Sequence, residues 1–151
     1  VIARAFTGPS KLSLPEKRWV AGYVASLPPV DEVRTGMADG VDTVAALVSV
    51  RMLPHARHIL YRPAARHNDQ LAERLPIEWT KHGLGIIDCP QGKDQADSYR
   101  LRNREMVKTA DELVAFVRNK KFYRSGEWMT INIAKKYYVK VELVLIDRAG
   151  R

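Results

Sequence analysis

Apolar and polar positions alternate between two periods along this chain, and each change of period marks an element. Apolar runs at Val1–Phe6, Val30–Thr35, His58–Tyr61, Gly85–Cys89, Leu113–Val117 and Val139–Ile146 are bounded by glycine, proline or polar clusters, as buried strands are. Between them, apolar residues recur at helical spacing. Trp19, Val20, Tyr23, Val24 and Leu27 form one such face. Pro15 opens that helix in its first turn, where a missing N–H costs nothing, and Pro28-Pro29 stops it. A second helix is predicted over Gly40–Met52. A third is predicted from Asp69 to His82, capped by Asn68 and divided by Pro76, with Leu71, Leu75 and Trp79 inward. Two more are expected over Ser98–Thr109 and Glu127–Tyr137. Pro90–Asp97 reads as a polar loop and Lys120–Gly126 as a basic, aromatic one.

Strands alternating with helices at this spacing predict an α/β fold of the Rossmann-like kind, doubly wound around a mainly parallel sheet with helices on both faces. No repeat, low-complexity tract or linker interrupts the pattern, so residues 1–151 are expected to form a single domain. In such sheets the ligand crevice lies beyond the carboxyl ends of the strands. Gly8-Pro9-Ser10 follows the first predicted strand and Thr35–Gly40 the second. Arg62–Arg66 follows the third and Ser125–Thr130 lies after the fifth. Their convergence on one rim is the strongest functional signal in the chain.

Within that set, Thr35-Gly36-Met37-Ala38-Asp39-Gly40-Val41-Asp42 joins a strand to a helix with glycines four apart. Such a turn can aim backbone N–H groups, and the positive end of the next helix, at an anion. It is also what an ordinary strand-to-helix turn looks like.

Composition narrows the classes. The formal charge of +8 fits a nucleic acid, a smaller polyanion such as a nucleotide, or plain solubility, and the basic residues are scattered rather than gathered in a tail. No apolar run is long enough to cross a bilayer and no basic-then-apolar leader is visible, so a membrane partner is not expected. Cys89 is the single cysteine, which excludes an internal disulfide and fits a reducing cytoplasm. His55, His58, His67 and His82 lack metal-ligand spacing, so no metal is assigned.

Four blocks carry a family resemblance. They are Phe6-Thr7-Gly8-Pro9-Ser10, the Thr35–Asp42 stretch, Arg102-Asn103-Arg104-Glu105-Met106, and Ser125-Gly126-Glu127-Trp128-Met129-Thr130-Ile131. In this order and spacing they resemble the SLOG superfamily of Rossmann-like domains, most closely its YspA/YpsA-like branch, and the second block also resembles the core of the DNA-processing protein A family. The G-x-G-x-x-G fingerprint of dinucleotide-binding domains is absent. The resemblance implies a sensor or carrier of a nucleotide or nucleotide-derived ligand, with no further cofactor. The superfamily also includes single-strand DNA binders and the LOG phosphoribohydrolases, and related domains usually pair, which makes a homo-oligomer an expectation.

Carried over by motif, Gly8, Pro9 and Ser10 form the floor of the site, and Gly36, Met37, Ala38, Gly40 and Asp42 its first glycine loop. Arg102 and Asn103 come from the fourth helix, and Ser125, Gly126, Glu127 and Thr130 from a second phosphate loop. The LOG loop P-G-G-x-G-T-x-x-E is altered here. Basic residues of Asn119–Tyr123 replace Pro-Gly-Gly, Glu127 stands at the Thr, and Thr130 at the catalytic Glu. Arg102 and Met106 match the LOG R-K-x-x-M motif, while Asn103 replaces its Lys. Cleaving an N-glycosidic bond needs a placed carboxylate, so no catalytic residue is assigned; Arg102 and Glu127 are the candidates if hydrolysis survives.

Several of these residues have a structural alternative. Arg102 either holds a phosphate or pairs on the helix surface with Glu105 or Asp97. Asn103 either meets the ligand or braces the glycine loop. Asp42 either contacts ribose hydroxyls or serves the helix dipole. Ser125 and Thr130 can donate to phosphate or cap the last helix. Phe122 and Tyr123 can stack on a base, whereas Trp128 is expected in the core or at a dimer contact.

Overall fold

The computed structural model describes residues 1–74, 84–118 and 126–146, with the backbone only at 126 and 127. In chain order the elements are β1 (Ala3–Thr7), α1 (Leu14–Ser26), β2 (Glu32–Gly36), α2 (Val41–Met52), β3 (Arg57–Arg62), α3 (Leu71–Arg74) and β4 (Leu84–Asp88). Then come α4 (Gln95–Val107), β5 (Glu112–Val117), α5 (Gly126–Lys136) and β6 (Lys140–Leu145).

The six strands form one sheet in the order β4-β3-β2-β1-β5-β6, and every pairing is parallel. This is the doubly wound arrangement expected from the alternation of periods. The order reverses beside β1: β2 lies on one side of it and β5, much later in the chain, on the other. All five residues of β1 are buried, as befits a central strand covered on both faces. The outermost strands are less enclosed; β4 exposes Ile86 and Ile87, and β6 exposes Leu143 and Leu145.

Period-two alternation divides the strand residues between two cores. Phe6, Val33, Val114 and Phe116 face α1 and α2, where Val20, Val24, Val41 and Ala45 meet them. Trp19 and Tyr23 stack with centroids 5.7 Å apart, and Tyr23 meets Phe116 edge-on at 5.5 Å. On the other face Ala5, Leu113, Ala115 and Val117 pack with Met106, Val107, Ile131 and Ala134 of α4 and α5. Trp128 packs half-buried against this second core, as expected, and Cys89 is buried in it.

Helix α1 carries Pro15 in its first turn as expected, whereas the starts of two later helices differ from expectation. Helix α1 starts at Leu14, because Ser13 and Glu16 close a capping box: Glu16 N donates to Ser13 Oγ, and Ser13 N to Glu16 Oε1. Helix α4 starts at Gln95 rather than Ser98, since Asp94 caps it by accepting from Asp97 N at 2.8 Å. Part of the predicted Pro90–Asp97 loop is therefore helix. Helix α3 covers Leu71–Arg74; Asn68 accepts from Gln70 N at 3.1 Å just before it. The continuation toward Pro76, Trp79 and His82 lies outside the described residues.

Candidate functional site

Because every strand is parallel, the connections after β1, β2, β3 and β5 all leave from one rim. The connection after β1 is tied directly to α2. A side chain at Gly8 would strike Val41 Cγ2 at 2.5 Å, and Val41 N donates to Pro9 O at 3.1 Å. Gly40, the residue before α2, has φ +72° and lies against the carbonyl of Pro9, so neither the torsion nor the space admits a side chain. Gly8, Pro9 and Gly40 thus join two connections into one wall.

The loop leaving β2 is held from three directions. Met37, fully buried, accepts through its carbonyl from Asn68 N at 2.6 Å. Ala38 N donates to Asp42 Oδ2 at 3.3 Å, and the Thr43 hydroxyl donates to Ala38 O at 2.9 Å. Asp42 therefore spends part of its carboxylate on the loop, a contact the dipole reading did not include.

Arg102 reaches this loop from α4. It does not pair with Glu105 or Asp97 on the helix surface; those acids pair with Lys108 and Arg100. Its side chain, 9% exposed, turns inward to Gly36, where the guanidinium fills the space beside the glycine Cα. Nε donates to Asn103 Oδ1 at 2.7 Å, and Nη1 stands 3.9 Å from Asp42 Oδ2. The ring of Tyr99 lies 5.8 Å from Cζ. Nη1 has no hydrogen-bond partner among the described residues. Asn103 thus braces the arginine, and the arginine in turn fills the glycine loop.

The fourth block is only partly described. Ser125 lies outside the described residues, as do Phe122 and Tyr123, and the side chain of Glu127 is likewise not described. Gly126 is the first residue of α5, and Thr130, one turn later, is completely buried. The structure brings Gly8, Gly36, Gly40, Asp42, Arg102 and Asn103 together; Ser10 is exposed at the edge of that group.

One part of the rim went unforeseen. Arg118, directly after β5, crosses the point where the strand order reverses. It donates from Nε to Glu16 Oε2 at 3.0 Å, from Nη2 to Glu16 Oε1 at 3.0 Å, and to the carbonyl of Lys11. These contacts hold the Glu16 carboxyl down to about 2 despite its burial. An ion pair therefore closes the crevice between β1 and β5. The pattern Ser13-x-x-Glu16 was the available signal for the acid, but nothing local pointed to its partner 102 residues later.

Cys89 is buried, and burial pushes its thiol up to about 11, which disfavours the thiolate. Among the described residues no group of three His, Cys, Asp or Glu side chains could hold a metal ion, and no helix is long and apolar enough to cross a membrane.

The chain superimposes on the crystal structure of DNA processing protein A (DprA) from Streptococcus pneumoniae with a TM-score of 0.70. It shares DprA's fold. At 15% identity the likeness is one of architecture; it covers 99% of this chain and 54% of DprA, so the chain spans about half of that protein. No family model and no curated protein matches.

Proposed function

We propose that this protein binds a nucleotide or nucleotide-derived ligand at the carboxyl rim, as sensor or carrier, with Arg102 meeting a phosphate. The observation that carries this reading is Arg102 itself. A guanidinium held nine-tenths buried, with Nη1 unpartnered among the described residues, is costly to maintain for the fold alone. Arginine suits phosphate because its planar fork makes charge-assisted bonds. Binding is favoured over hydrolysis, since Thr130 replaces the glutamate that LOG-type cleavage uses and is itself enclosed. Calorimetry against nucleoside mono- and diphosphates and ADP-ribose should give a saturable signal that falls at least tenfold in Arg102→Ala. No heat at millimolar ligand would defeat the reading.

A second reading, single-stranded DNA binding, is favoured by the fold shared with a DNA processing protein and by the formal charge of +8. Gel-shift titrations at two salt concentrations separate the two. Tight binding that weakens steeply with salt marks DNA, whereas a mononucleotide making one or two ionic contacts shows a shallow slope.

A further inference from the structure

The rim carries a second cavity that phosphate binding at Arg102 leaves unused. It measures about 290 Å³ and lies between the segment after β3 and the loop before α4, where Ala64, Ala65, Gln91, Gln95 and Ser98 line it. That size is at the lower end for small-molecule sites and suits one heterocycle with part of its sugar.

The start of α4 opens into this cavity but does not offer its amides to an anion. Asp97 N donates to Asp94, Lys93 N to Asp97 Oδ2 at 2.9 Å, and Gly92 N to Ser98 Oγ at 2.9 Å. The chain's own side chains have taken these donors, and two of them are carboxylates that repel a phosphate. The Lys93 ammonium and the Asp94 carboxylate also line the cavity; its other polar side chains are neutral. Gln91 presents a carboxamide with both donors and an acceptor; Gln95, its Nε2 3.4 Å from the Tyr99 hydroxyl, keeps its carbonyl oxygen. Ser98 is 2% exposed; its Oγ accepts from Gly92, and its own O–H has no acceptor among the described residues. The methyl groups of Ala64 and Ala65 supply an apolar wall. Donors and acceptors beside such a wall suit a flat heterocycle with a hydrogen-bonding edge.

Its position relative to Arg102 is set by α4. Ser98 and Arg102 are four residues apart, so they share a face and lie about 6 Å apart along the axis. Tyr99 ties the two places together: its hydroxyl donates to Arg66 O at 2.9 Å, holding the 64–66 wall on α4, and its ring lies beside the Arg102 guanidinium. We infer that this cavity receives the base of the ligand whose phosphate Arg102 holds, with Gln91, Gln95 and Ser98 reading the base edge. The inference rests on the phosphate reading above.

The two can be tested apart. Calorimetry would compare the four common nucleoside 5′-monophosphates with ribose 5-phosphate, using the full chain, Arg102→Ala, and the double variant Gln91→Ala/Gln95→Ala, whose side chains are exposed enough to leave the fold intact. At least one monophosphate should bind about tenfold more tightly than ribose 5-phosphate. The double variant should erase that advantage and leave ribose 5-phosphate unchanged. Equal affinity for base-bearing and base-free probes, or an unchanged preference in the double variant, overturns the base site while leaving Arg102 standing. Ribose 5-phosphate binding that ignores Arg102→Ala defeats the phosphate reading instead. If no probe binds, both fall.

Discussion

Arg102 occupies the space that a side chain at Gly36 would need. The glycine that looked like an opening for a ligand is an opening for an arginine sixty-six positions later in the chain. An alanine Cβ at position 36 would overlap Nη1 and come within 2.5 Å of Asp42 Oδ2. The guanidinium cannot swing away without breaking its bond to Asn103 and leaving its buried seat. Gly36→Ala should therefore lower stability by about 1–3 kcal/mol, the usual range for overpacking. Urea unfolding would check this. Combined with Arg102→Met, the same substitution should cost at least about 0.5 kcal/mol less, because residues in contact are not additive. Strict additivity would show that the two do not compete for space.

Glu16 and Arg118 predict an acid-sensitive clamp. The Glu16 carboxyl titrates near 2 in the folded chain against 4.5 as its ordinary value, mainly through hydrogen bonds from Arg118. A folded value below the unfolded one means the stabilisation is complete above about 4.5 and is lost as pH falls toward 2. Arg118 keeps 36% of its side chain in water, so solvent screening reduces the contribution to about 1–2 kcal/mol. Glu16→Gln should be less stable than the parent by that amount at pH 6, with the gap narrowing as pH drops from 4.5 to 3. A gap independent of pH would assign the effect to packing or capping instead.

His58 predicts a different pH window. Its ring is buried, Nε2 bonds to Leu53 O at 2.8 Å, and Nδ1 has no partner among the described residues. Burial lowers its pKa below the ordinary 6.5, so the folded state prefers the neutral ring. The unfolded chain takes up the proton first. Stability is then whole above about 6.5 and declines as pH falls from there to the folded pKa. His58→Gln should be less stable at neutral pH but should lack this decline. An NMR titration in which the His58 ring protonates at 6.5 or above would reverse the sign and end the claim.

The sheet and its order of helices were legible because strand and helix periods differ and prolines and glycines punctuate them. The helix starts were less so, although Ser13-x-x-Glu16 and Asp94-x-x-Asp97 are both capping patterns that can be read locally. The site was legible as a list of residues but not as a mechanism of packing. Motif spacing put Gly36, Asp42, Arg102 and Asn103 on one rim; it did not reveal that Arg102 points inward, because orientation on α4 depends on which face meets β2. Arg34 shows the same limit. Its Nη1 reaches Met106 O at 3.2 Å and Thr109 Oγ1 at 2.7 Å, closing the last turn of α4 from a strand 72 to 75 residues earlier. Side chains that join distant segments leave no periodic trace.

The last prediction separates a functional arginine from a structural one. Arg102 is buried, with Nη1 unpartnered among the described residues and its carboxylate neighbour 3.9 Å away, beyond hydrogen-bond reach. Removing Arg102 alone leaves the buried Asp42 carboxylate without this counter-charge, a loss of about 3 kcal/mol or more at such sites. Arg102→Met should therefore be less stable than the parent by about 3 kcal/mol, and its binding is measured on the folded fraction. Its affinity for nucleotide should fall ten- to a hundredfold, the scale of one charge-assisted contact. Nucleotide binding retained in the folded fraction of Arg102→Met would make Arg102 a brace for the Gly36 loop and nothing else.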